Sequence, residues 1–173
     1  MMNSLKNKIN ALPLSAFFRE DIQIRPIQDD YDLWYAVVEC QLAPGQEEFV
    51  NPAGFSIGRA YLNPQDNIPC VILKDDLRIG YIVLRTWCDD KANSWSYYIS
   101  HEHQGRGCGK AAALLAVQIL TTADPNTPIK LSTEKDNQKA QQLYSSLGFH
   151  HDGELDGDDL VFVYRKGPSH DLS

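Results

Sequence analysis

The sequence predicts a mixed α/β domain, and three observations predict it. Residues 94–122 read as a strand, a glycine-rich turn and a helix in direct succession. Residues 133–149 hold a second helix with a capping residue at one end and a glycine at the other. Two pairs of apolar runs, 69–73 with 79–86 and 149–155 with 160–164, are joined by short polar turns and read as antiparallel hairpins. A length of 173 residues is most simply one domain.

Taken in order, residues 1–20 precede the main pattern. Leu5, Ile9 and Leu12 are spaced for a short helix that Pro13 would limit, so this segment is either a docked extension or a loose arm. Residues 22–27 alternate and form the first strand. Asp29 and Asp30 then precede a helical stretch holding Leu33, Trp34, Val37 and Val38. Pro44-Gly45 marks a turn, and Ser56 could cap a second short helix. The first hairpin turns through residues 74–78, and Asp89-Asp90-Lys91 is a polar turn into the next strand. Trp95, Tyr97, Tyr98 and Ile99 make that strand, being aromatic or β-branched. After the glycines, Ala111, Leu114, Leu115 and Ile119 recur at helical spacing. Asp124-Pro125-Asn126 ends this helix and residues 129–132 form a strand. Asp136 can cap the last helix, whose stripe is Ala140, Leu143 and Leu147 and whose end is Gly148. Asp156-Gly157-Asp158 closes the final hairpin, and the tail beyond residue 167 reads as loose.

Composition narrows the function. With 16 Lys and Arg against 23 Asp and Glu, the net charge is −7, which argues against a nucleic-acid binder with its basic stripe. No apolar run approaches the roughly 20 residues that cross a bilayer, and no secretory signal opens the chain, so a soluble, cytoplasmic protein is expected. The four cysteines show no Cys-x-x-Cys pair and read as free thiols of a reducing compartment. His101 and His103 lack a third ligand, so no metal is expected.

The chemistry centres on Gln104-Gly105-Arg106-Gly107-Cys108-Gly109-Lys110. Glycines let backbone N–H groups converge, and the helix start adds unpaired donors and a partial positive charge. Together they make a site for a phosphate or pyrophosphate. It is not a nucleotide P-loop, because Ala111 follows Gly109-Lys110 where a magnesium-binding hydroxyl is required. It is not the dinucleotide fingerprint, because the third glycine comes one residue early. A glycine-rich surface turn capping a helix would use the same residues.

What remains, Gln104-x-x-Gly107-x-Gly109, resembles the coenzyme A signature of the GNAT acetyltransferase superfamily. Downstream, Asn137, Ala140, Leu143, Tyr144, Leu147, Gly148 and Phe149 resemble the second motif of that family, in order and at its spacing. The resemblance spans about residues 22–166. It implies a mostly antiparallel mixed sheet of six to seven strands with about four helices and two splayed central strands. It divides the chain into an extension (1–20), an acetyltransferase domain (21–167) and a tail (168–173). A second likeness, over residues 46–113, is to the bacterial spermine/spermidine acetyltransferase branch.

The resemblance also implies roles. Gly105, Arg106, Gly107, Cys108, Gly109 and Lys110 would cradle the pyrophosphate of acetyl-CoA, with Gln104 beside them. Tyr97, Tyr98 and Ile99 would pair their backbone with the pantetheine arm, Asn137 would bind the same arm, and a backbone N–H near Ile99 would meet the thioester carbonyl. Tyr144 would be the acid that protonates the leaving thiolate. Glu39, Glu47 and Glu48 are the acidic candidates for meeting the acceptor. Trp95 stands where related polyamine enzymes carry a glutamate, so water or a carboxylate such as Glu39 would deprotonate the amine. The acceptor implied is a small-molecule amine, such as a polyamine, without nucleic acid or membrane. A protein N-terminus, a lysine, an aminoglycoside and a non-catalytic acyl-CoA sensor are the rival readings. The final hairpin or the first 20 residues could mediate a homodimer.

Overall fold

In the computed structural model, which describes residues 4–87 and 91–167, the strands are β1 (Phe18–Arg19), β2 (Ile22–Pro26), β3 (Asn67–Lys74), β4 (Leu77–Thr86), β5 (Asn93–Ile99), β6 (Ile129–Thr133), β7 (His150–Asp156) and β8 (Asp159–Tyr164). They form one sheet in the order β1-β2-β3-β4-β5-β6-β8-β7. Every neighbouring pair is antiparallel except β5 with β6. The expected mixed sheet is present, with eight strands where six or seven were expected.

Among the described residues five α-helices flank it: α1 (Leu5–Asn10), α2 (Asp30–Trp34), α3 (Ala53–Leu62), α4 (Cys108–Ala123) and α5 (Gln138–Ser146). Strand periodicity of two separates the faces. Ile72, Ile82 and Leu84 face Leu115, Ile119 and Leu120 of α4, with Leu5 and Ile9 of α1 in the same core. Each such side chain contributes about 1.5–3 kcal/mol on full burial. Val71, Leu73, Tyr81 and Val83 face the other way, toward Tyr35, Ala36 and Ala53. The first hairpin turns on Asp75 and Asp76, both at positive φ (48° and 66°), as a tight two-residue connection requires.

The structure resolves one open alternative and departs from the sequence reading in three places. Residues 4–20 are docked: Ser4 caps α1, Leu5 and Ile9 are buried, and Lys8 pairs with Asp124 at 2.9 Å. The helix after Asp29 turns a different face inward. Trp34 is 58 % exposed and Val37 50 %, while Asp32 is fully buried. Arg25 Nη2 and Arg78 Nε each donate to Asp32 Oδ1 at 2.8 Å, and α2 continues as a π-turn over Tyr35–Glu39. Ser56 lies inside α3 and caps nothing, since that helix starts after Pro52. Its hydroxyl bonds the Ala53 carbonyl and Tyr81. Asn137, not Asp136, caps α5. Of the expected turn at 89–91, Asp89 and Asp90 lie outside the described residues, as does the tail 168–173. Cys40, Cys70 and Cys108 are buried free thiols. Among the described residues, no helix is long and apolar enough to cross a membrane.

Candidate active site

β5 and β6 touch in register at one place, Asn93 opposite Ile129, where the Asn93 N–H donates to the Pro128 carbonyl at 2.9 Å. Beyond it the strands part. Backbone groups alternate along a strand, so those of Trp95, Tyr97 and Ile99 point the same way as Asn93, into the gap. Those of Ser94, Ser96, Tyr98 and Ser100 point toward β4, as the Ser100 N–H donating to the Ile79 carbonyl confirms. Of the three residues expected to pair with an arm, Tyr97 and Ile99 therefore face the gap, and the Tyr98 backbone is used by β4. The Tyr98 ring packs on the far face, 5.8 Å from Tyr81, and burial pushes its phenol up to about 12.

The gap opens into a cavity of about 940 Å³ that runs to the glycine turn. Gly105 (φ 76°) and Gly107 (φ 79°) hold left-handed conformations that a side chain resists. α4 starts at Cys108 with no side-chain cap. The first intrahelical donor is the Ala111 N–H to the Gly107 carbonyl at 3.1 Å, and the N–H groups from Gly105 to Lys110 have no partner among the described residues. Unpaired donors at a helix start, with Arg106 and Lys110 exposed beside them, fit a pyrophosphate. Cys108 contributes only its N–H, because its thiol is buried in the core.

Side chains brace this turn. The Tyr97 hydroxyl donates to the Gly109 carbonyl at 3.0 Å, tying β5 to α4, and burial raises its pKa. Gln104 Nε2 donates to the Ile99 carbonyl at 2.8 Å and to Gln46 Oε1 at 2.8 Å, and Gln46 Nε2 donates back to Gln104 Oε1 at 3.0 Å. The Gln104 side chain is thus committed to the protein.

α5 forms the opposite wall. Asn137 Oδ1 accepts from the Ala140 N–H at 3.2 Å, which leaves its Nδ2 group as the donor in the cavity wall. Tyr144 packs its ring 6.0 Å from Phe149 and 5.9 Å from Phe162. Its hydroxyl makes no hydrogen bond among the described residues, and burial pushes it up to about 12.

Glu47 and Glu48 line the cavity from the loop before α3, and Trp95 lines it from β5. Trp95 is only 4 % exposed and stands edge-on to Phe149 at 5.7 Å, with its indole N–H buried and unpartnered among the described residues. Glu39 is not in the cleft: it sits exposed on the π-turn. Sequence reasoning missed Asn51, Arg85, Glu134 and Asp159, which also line the cavity, and the role of Gln46. Only the hairpin signal around Asp158 hinted at Asp159. No group of three or more metal-ligating side chains occurs among the described residues.

With this geometry in hand, known proteins supply the family. A sequence model described as the acetyltransferase (GNAT) family matches residues 31–149. No curated protein matches the sequence. Among solved structures, an acetyltransferase from Agrobacterium tumefaciens is 18 % identical, with a TM-score of 0.67 over 90 % of this chain and 96 % of that one. An aminoglycoside acetyltransferase in complex with coenzyme A is 17 % identical, at 0.67 over 84 % and 95 %. Spermidine N-acetyltransferase from Vibrio cholerae, in complex with CoA and spermine, is 16 % identical, at 0.63 over 84 % and 94 %. At such identities these three speak for the fold, and the family match speaks for the activity. The chain belongs to the GNAT family and is an acetyl-CoA-dependent N-acetyltransferase acting on amine acceptors.

Proposed function

We propose that this cleft transfers an acetyl group from acetyl-CoA to a primary amine of a small cationic acceptor, a polyamine such as spermine or spermidine, by direct attack in a ternary complex. The observation that carries the reading is the splay. The Tyr97 backbone and the Ile99 N–H, whose carbonyl is taken by Gln104, face a cavity that ends at unpaired N–H groups of a helix start. Gly105 to Lys110 hold the pyrophosphate, Asn137 Nδ2 donates to the arm, and the Ile99 N–H is the donor for the thioester oxygen. Acetyl-CoA supplies an acyl group activated as a thioester. Tyr144 stays protonated at any working pH and donates its O–H to the sulfur as it takes on charge.

The acceptor side supports a cation. Glu47, Glu48 and Asp159 line the cavity, and carboxylates raise the local concentration of a positively charged amine. Arg85 lies on the same lining, with its guanidinium carbon 5.9 Å from the centre of the Trp87 ring. Glu39 is not among the residues that line the cavity, so the proton leaves the ammonium to water or to a cavity carboxylate. Thiol release from acetyl-CoA with spermine, spermidine, diamines, aminoglycosides and short peptides tests the reading. Turnover with polyamines alone supports it. Turnover with peptides or aminoglycosides alone removes the polyamine assignment and leaves the coenzyme site standing.

A further inference from the structure

We infer that the Gln46–Gln104 amide pair couples the coenzyme turn to the acceptor-side loop, so that coenzyme binding sets the loop that completes the acceptor site. The inference rests on the reading that Gly105 to Lys110 hold the coenzyme. The loop runs from Gly45, at φ 87°, through a 3₁₀ turn (Gln46–Glu48) to Pro52. It carries Glu47 and Glu48, both largely exposed, and its own backbone bonds are short-range: Gln46 N–H to the Ala43 carbonyl and Phe49 N–H to the Gln46 carbonyl. Little else anchors it, which marks the kind of segment that opens locally.

The amide pair is a closed two-way exchange. Gln104 donates to Gln46 at 2.8 Å and Gln46 donates back at 3.0 Å. Gln46 Oε1 also accepts the Ala43 N–H at 3.2 Å, so the same side chain folds its own loop. Gln104 is fixed at its other end to the Ile99 carbonyl at 2.8 Å and lies directly before Gly105. A ligand that immobilises the turn immobilises Gln104, and Gln104 immobilises Gln46. Coupling is reciprocal, so a loop held closed on an acceptor also favours the coenzyme-bound turn. Gln46 acts through Gln104 and is a positioning residue, not a catalytic one.

Hydrogen exchange on the full chain, with and without coenzyme A, tests this in wild type, Gln46→Ala and Gln46→Glu. In wild type, coenzyme A slows exchange at residues 105–110 and, by about tenfold, at residues 46–51. Gln46→Ala keeps the first protection and loses the second. Gln46→Glu preserves size and the acceptor for Gln104 Nε2 but sets an oxygen against Gln104 Oε1, so it keeps only part of the loop protection. A role in packing alone would leave Gln46→Glu like wild type, and that result overturns the inference. So does a wild-type loop that ignores coenzyme A while residues 105–110 are protected. Absence of protection at 105–110 removes the coenzyme site itself, and the coupling falls with it.

Discussion

Tyr144→Phe separates chemistry from architecture because the proposed role belongs to the hydroxyl and the packing to the ring. The ring packs on Phe149 and Phe162 at 6.0 and 5.9 Å, and phenylalanine keeps those contacts. The hydroxyl has no hydrogen-bond partner among the described residues, so its removal strands no buried group. Stability should therefore change by less than about 0.5 kcal/mol. Burial pushes the phenol up to about 12, so between pH 6 and 10, a window well below that value, essentially every molecule carries the proton. Loss of one general acid costs about a hundredfold, which is about 2.7 kcal/mol of barrier at 1.36 kcal/mol per decade. The assay is thiol release from acetyl-CoA at saturating amine, beside thermal unfolding and coenzyme A binding. The expected result is kcat down about 100-fold, Tm unchanged within about 2 °C and Kd within about threefold. A kcat within twofold of wild type, about 0.4 kcal/mol, would refute the assignment of the acid.

Gly107→Ala meets no atom within 4 Å, so its cost is the left-handed backbone alone, about 1–2 kcal/mol, and calorimetry should show coenzyme A binding weakened about 5- to 30-fold. Tyr97→Phe removes the side-chain hydrogen bond to the Gly109 carbonyl and should lower stability in denaturant by about 1 kcal/mol. Asp32→Asn leaves Arg25 and Arg78 facing a neutral amide and should cost about 3 kcal/mol. Burial pushes the Asp32 carboxyl up, but hydrogen bonds from Arg78 and Arg25 outweigh it and hold the pKa below its usual value. Its stabilisation is therefore complete above the unfolded pKa of about 3.9 and is lost as pH falls through the lower folded value; acid unfolding of wild type should show this and Asp32→Asn should not. With Glu39 outside the cleft, kcat/KM for the amine should rise with pH toward the amine pKa near 10, and a plateau below pH 7 would point to a dedicated base.

The glycine turn and helix start of the candidate site were legible because their signals are local. Left-handed glycines, a helix start and a strand before it lie within one short stretch, and Gly105 and Gly107 hold the positive φ values that glycine is used for. The acceptor half was not, because its determinants are far apart in sequence. Leu33, Trp34, Val37 and Val38 make a proper helical face, yet Tyr35 and Ala36 face inward. The choice is made by Asp32, whose partner Arg78 lies 46 residues away on β4. The same holds for Gln46, which meets Gln104 58 residues on. Glu39 followed α2 in sequence but ends on a π-turn that carries it outside the cleft. The N-terminal segment was undecided from spacing alone, since only the groove beside α4 gives Leu5 and Ile9 a place to be buried.

A crystal structure of the full chain with coenzyme A is the most direct test of the central claim. The expected result has pyrophosphate oxygens within about 3 Å of N–H groups between Gly105 and Lys110. The arm then lies between β5 and β6 on the backbone of Tyr97 and Ile99, with the sulfur beside the Tyr144 hydroxyl. Coenzyme A bound elsewhere, or a β5–β6 gap that stays closed to the arm, would contradict it.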